Sequence, residues 1–120
     1  MTISARVIDS VHGGPAVQVS VRLEQHVNGL WTEVAASLAS VDGLVENWSP
    51  KLAAHPQTGI YKLVFDTGRY FAALGIKPLY PEVLIIFTLS DPSKDYDHTL
   101  MLAPHAYAAF HSVRRPSGAR

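Results

Sequence analysis

The chain has 120 residues, with ten basic and ten acidic side chains that cancel, 48% hydrophobic residues, 17% charged residues and no cysteine. That length suits one domain with a core of its own, and the composition excludes disorder, disulfides and thiolate chemistry. A zero net charge gives no electrostatic reason to expect nucleic acid or an anionic membrane as partner, and so few charges suggest surface hidden in an oligomer.

In chain order, Ala5 to Asp9 reads as a short strand, and the turn Ser10 to Pro15 follows. In AVQVSVRLEQHV, Val17, Val19, Val21 and Leu23 alternate with Gln18, Ser20, Arg22 and Glu24, which predicts a strand with one dry face. Asn28-Gly29 predicts a hairpin, and Leu30 to Ala39 the returning strand. Asp42-Gly43 marks another turn. Val45 to Gln57, with Pro50 and Pro56, reads as an irregular excursion around one short edge strand.

Gly59 to Leu89 supplies the frame. Ile60 to Phe65 is rich in β-branched and aromatic residues and reads as a strand. Asp66-Thr67 caps a short helix, placed at about 67–74 and ended by Gly75, with Pro78 and Pro81 beyond it. The unbroken apolar run Val83 to Leu89 reads as a buried strand. After a loop at Asp91 to Asp95, His98 to Leu102 and Tyr107 to Arg114 are the last strands. The reading is a single domain over 1–113 and a basic, flexible tail over 114–120. Seven or eight short strands at regular spacing predict a β-sandwich or barrel. MTISARVIDS has no apolar core of signal-peptide length and no run spans a membrane, so a soluble, cytoplasmic protein is expected.

The segments GIYKLVFDTGRYFAALG and YPEVLIIFTLSDP resemble the transthyretin and 5-hydroxyisourate hydrolase family. RVIDSVHGGPA, SVDGL and DHTLMLAPHAYAAFHSV match its first strand, its Asp-Gly turn and its last two strands, so the resemblance covers nearly the whole chain. It implies an all-β sandwich of two four-stranded antiparallel sheets with one short helix. It also implies edge-strand dimers that pair into a homotetramer, with small-molecule sites in the channel between dimers.

The family's hydrolases place a His in the first strand, an Arg after the Asp-Gly turn and a second His before the Leu-rich run. By the resemblance those positions are Arg6, Leu44 and Asp97. His98 is one place off, and one step along a strand turns a side chain to the other face. The terminal Tyr-Arg-Gly-Ser signature reads Phe110 to Val113. The hydrolase set that positions and activates water is therefore substituted. Arg6 keeps its proton at ordinary pH, so it stabilises an anion but does not act as a base. Asp97 is the candidate proton-transfer group, and an Arg6–Asp97 pair across the site is an open arrangement.

The expected catalytic set is Arg6 and Asp97 with His111 and Ser112 as auxiliaries. The expected substrate-binding set is Arg6, Leu44, Tyr107 and Val113. The resulting expectation is an enzyme of hydroxyisourate-hydrolase descent with a diverged site, acting on a small planar heterocycle or aromatic. A non-catalytic carrier of a small aromatic anion and a dead-site structural tetramer are the alternatives. No cofactor is expected. The six histidines (His12, His26, His55, His98, His105 and His111) match no common zinc spacing. Asp95, Asp97 and His98 read as a solvated loop end.

Overall fold

A computed structural model describes residues 3–46, 48 and 58–114. The excursion expected over 45–57 falls mostly outside these residues, as do positions 115–120 of the tail. Two sheets face each other. One runs β4 (Leu30–Leu38), β3 (Ser20–Val27), β6 (Gly59–Phe65) and β7 (Val83–Leu89). The other runs β2 (Gly14–Pro15), β1 (Ile3–Asp9), β8 (Asp95–Ala103) and β9 (Ala106–Arg114), with β5 (Leu44–Val45) also paired to β1. The one helix among the described residues, α1 (Thr67–Ala73), links β6 to β7. The sheets were expected to be antiparallel throughout; β1 pairs with β8 in parallel, and the other pairings are antiparallel.

The core is the set of inward positions that strand alternation provides. Val21 and Leu23 of β3, Tyr61, Leu63 and Phe65 of β6, and Val83 and Leu89 of β7 meet Ile3, Ala5 and Val7 of β1 and Tyr96, Leu100 and Leu102 of β8. Each large side chain buried this way contributes about 1.5–3 kcal/mol. Truncating one, as in Leu63→Ala, costs about 2–5 kcal/mol because a cavity remains.

Two predicted strand starts move by three residues. The strand expected from Val17 begins at Ser20, because Gln18 sits at φ 64 and turns the chain before the ladder starts. The last-but-one strand begins at Asp95 rather than His98. The group expected as a solvated loop end is therefore part of a strand, and Asp95 and His98 are buried at 4% and 3% exposure.

The helix forms as read. The Asp66 carboxylate accepts from the Arg69 N–H at 3.4 Å, Gly75 follows at φ 72, and Phe71 is buried. Tyr70 fixes the helix to the other sheet, its hydroxyl donating to Asp9 Oδ2 at 2.8 Å.

Candidate functional site

The sheet containing β1, β8 and β9 has a core face and an outer face. On β1, Ile3, Ala5 and Val7 point inward, so Ser4, Arg6 and Ile8 point outward. On β8 the inward positions are Tyr96, His98, Leu100 and Leu102, leaving Asp97, Thr99 and Met101 outward. The register then builds the outer patch row by row. Ser4 lies beside Asp97 and Asp97 beside Ser112; Arg6 lies beside Thr99 and Thr99 beside Phe110; β5 adds Leu44 next to Arg6.

Of the residues singled out in the sequence, four therefore share this face: Arg6, Leu44, Asp97 and Ser112. Arg6 is exposed and Asp97 is half-buried. The Ser4 hydroxyl donates to Asp97 Oδ1 across the parallel pairing, which fixes that carboxylate beside the guanidinium's row. Phe110, 57% exposed, supplies an aromatic wall. No histidine lies on this face among the described residues of β1, β5, β8 and β9. The patch offers the Arg6 guanidinium, the Asp97 carboxylate, three hydroxyls (Ser4, Thr99 and Ser112) and an apolar rim. No three His, Asp or Glu side chains converge as a ligand group among the described residues.

The other three expected residues fall elsewhere. His111 is the cross-strand partner of His98, and Val113 of Tyr96, so both lie on the side of β9 away from Arg6. Tyr107 pairs with the inward Leu102 and packs edge-on against Tyr80, ring centres 5.2 Å apart. Strand parity alone puts His111 and Ser112 on opposite faces, and the β8–β9 register places Ser112 on the Arg6 side and His111, Tyr107 and Val113 on the other.

That second side contains a feature the sequence reading passed over. Between β7 and β9, the edge strands of the two sheets, a cavity of about 490 Å³ is lined by Ile85, Phe87, Tyr96, His98, His111 and Val113. The His98 and Phe87 ring centres are 4.4 Å apart, and those of His98 and His111 are 5.9 Å apart. The buried Nε2 of His98 has no hydrogen-bond partner among the described residues. Burial pulls the His98 pKa down to about 4, and the nearby His111 charge adds to this against a smaller opposite pull from Asp97. The signal in the sequence was the single-residue offset between Asp97 and His98, which predicts opposite faces.

The two-sheet sandwich with its helix between β6 and β7 is similar in fold to a solved transthyretin. The fold matches that of transthyretin from Sparus aurata with a TM-score of 0.83 at 25% identity, covering 92% of this chain and 96% of that one. The HIUase/Transthyretin family model matches residues 3–112. The chain is 31% identical over 108 residues to the 5-hydroxyisourate hydrolase of Salmonella dublin, which covers 90% of this chain and 78% of that protein. It is also 31% identical over 110 residues to transthyretin of Aquarana catesbeiana, covering 88% of this chain and 69% of that protein. The chain belongs to the HIUase/Transthyretin family.

Proposed function

We propose that the outer face around Arg6 and Asp97 is the functional surface, and that the protein is a hydrolase-descended enzyme for a small planar heterocycle or aromatic. Two such faces from paired dimers enclose the substrate in a channel, making the working form a homotetramer. The exposed aromatic ring on the face, Phe110 at 57%, supports its coverage by another copy. A soluble, cytoplasmic protein is part of the same proposal.

The observation that carries the reading is Arg6 and Asp97 on one face with Ser4 holding the carboxylate. For a planar cyclic amide the chemistry balances as follows. Asp97 takes a proton from water, and the hydroxide oxygen bonds to the ring carbonyl carbon. Arg6 stabilises the resulting oxyanion. Collapse re-forms the C=O and breaks the ring C–N bond, and the departing nitrogen takes the proton from Asp97. Ser112 and Thr99 offer hydroxyls to the ring edge, and Leu44 and Phe110 exclude water. The same two charged groups serve a proton-transfer rearrangement without net hydrolysis.

A second reading is favoured by the lack of any imidazole on the described face: Arg6 grips a small aromatic anion and no reaction follows. Freshly generated 5-hydroxyisourate, followed by ultraviolet absorbance, is the first substrate to try, because a relative carries that activity in its name. A panel of planar cyclic amides follows. Turnover that Asp97→Asn abolishes while affinity survives establishes the enzyme. Binding that needs Arg6, with no turnover anywhere on the panel, establishes the carrier. Absence of both sinks both readings.

A further inference from the structure

Ser4 and Asp97 are 93 residues apart in the chain, and the parallel β1–β8 ladder sets them side by side on the outer face. The Ser4 hydroxyl donates to Asp97 Oδ1, so its proton already points at a carboxylate. A hydroxyl hydrogen-bonded to a base is the arrangement that makes serine a nucleophile. Both residues stand on rigid strands. Ile3 and Ala5 are buried on either side of Ser4, and Tyr96 and His98 on either side of Asp97. The Trp48 indole N–H also donates to the Ile3 carbonyl at 2.6 Å, which braces β1 at this end. Reacting groups on strands so packed hold their geometry better than groups on loops.

A serine donating to an aspartate is not by itself a reacting pair. Ser93 donates to Asp91 Oδ1 at 2.6 Å, but those residues lie two apart in one exposed turn, and the Lys94 ammonium sits 3.8 Å from the other carboxylate oxygen. Arg6 is what sets Ser4 apart. It stands two residues further along β1 on the same face, about 6.6 Å away at roughly 3.3 Å per residue, a gap its long side chain crosses. A carbonyl carbon bonded to Ser4 Oγ therefore puts its oxygen within reach of the guanidinium. Nucleophile, base and oxyanion partner all come from the same two strands.

Resting on the reading of the Arg6 face as an enzyme site, we infer that Ser4 is its nucleophile and that ring opening passes through an acyl ester on Ser4. Ser4 Oγ bonds to the ring carbonyl carbon as its proton passes to Asp97, and Arg6 holds the oxyanion. Collapse re-forms the C=O and breaks the ring C–N bond, and the departing nitrogen takes the proton from Asp97. Water enters in the second half. Asp97 takes its proton, its oxygen bonds to the ester carbon, and collapse breaks the C–Oγ bond as Ser4 recovers the proton. One water is consumed per ring opened, as in direct attack by water. The two routes differ in one observable, an acyl group on Ser4.

The probe is p-nitrophenyl acetate, an activated acyl donor, mixed with the full chain. Released p-nitrophenolate is followed by absorbance, and the acetyl group is located by peptide mass spectrometry. The expected result is a burst of p-nitrophenolate with an acetyl ester on Ser4, slowed at least about 100-fold by Asp97→Asn, as for loss of a general base, and absent from Ser4→Ala. Ser4→Cys should keep the burst. The parent chain has no cysteine, so the thioester of that variant is read without background, and it carries the test should Ser4→Ala fail to fold. A parent chain with no acetyl group on Ser4, an ester on Ser112 instead, or Ser4 acetylation undiminished by Asp97→Asn would each overturn the inference. So would turnover of a cyclic amide that Ser4→Ala leaves intact, a result that keeps the Arg6–Asp97 reading and removes only the covalent step.

Discussion

His98 and His111 stand opposite each other across β8 and β9 with ring centres 5.9 Å apart, on the side of the sheet away from Arg6 and Asp97. The pair and the Arg6 patch lie on opposite sides of one sheet. Imidazoles line the inner cavity, and a guanidinium and a carboxylate occupy the outer face.

This division sets an acid sensitivity. His98 titrates near 6.5 when unfolded and at about 4 when folded, with His111 opposing its proton and Asp97 favouring it. Asp91 and Lys94 stand at the mouth of the same cavity. Between those two values the unfolded chain holds the extra proton, so stability falls as pH drops through that window. The complete loss is on the order of 3 kcal/mol, at about 1.4 kcal/mol per unit. Urea midpoints measured from about pH 7 to pH 4 should decline for the parent chain and decline less for His98→Leu. Equal declines would remove His98 as the cause. Asp9 adds a loss of the same sign at lower pH. Burial alone would raise its carboxyl, but hydrogen bonds from Tyr70 and the His12 and Val11 N–H groups outweigh that and hold it below its usual value.

The Tyr70–Asp9 bond joins the helix to the first strand. The carboxylate is buried at 1% exposure, and burial together with the Asp9 charge pushes the tyrosine up to about 12. Among the described residues, Tyr70→Phe leaves Asp9 with its Val11 and His12 backbone donors and the His12 side chain. The expected cost is about 1.5–3 kcal/mol, as for a hydrogen bond to a charged group. Denaturant unfolding measures it, and a cost under about 0.5 kcal/mol would show that water replaces the hydroxyl.

Gly43 and Gly13 both occupy the left-handed region, at φ 75 and φ 73, yet they differ in surroundings. A Cβ at Gly43 would meet the Val7 carbonyl oxygen at 2.5 Å, whereas one at Gly13 meets nothing within 4 Å. Gly13→Ala should cost about 1 kcal/mol, for backbone strain alone. Gly43→Ala should cost at least about 2 kcal/mol more, because the Val7 backbone cannot give way without disturbing β1 beside Arg6. Equal costs would mean the turn relaxes freely.

Much of the architecture could be read from local signals. The Asp66 cap and Gly75 bound the helix where expected, and the apolar run Val83 to Leu89 forms a strand, but an edge strand with Leu84 and Ile86 exposed rather than one buried on both faces. The start of β3 was not legible, because Val17 continues the alternation while Gln18 breaks the backbone. The candidate site was legible only in part. Alternation separates Asp97 from His98 without any structure. Assigning Ser112 to the Arg6 face and His111 to the other requires the β8–β9 register, a long-range pairing that no local pattern encodes. The inner cavity depends on how far β7 and β9 stand apart, which only packing determines.

The central claim is that the Arg6 face takes a small planar anion. Equilibrium binding of urate, a stable planar heterocyclic anion, to the parent chain and to Arg6→Ala tests it most directly. The account predicts saturable binding to the parent, weakened at least about tenfold by Arg6→Ala, as expected for a lost charge-assisted contact, and unchanged by His98→Leu. Binding that survives Arg6→Ala undiminished, or that His98→Leu abolishes instead, would contradict it.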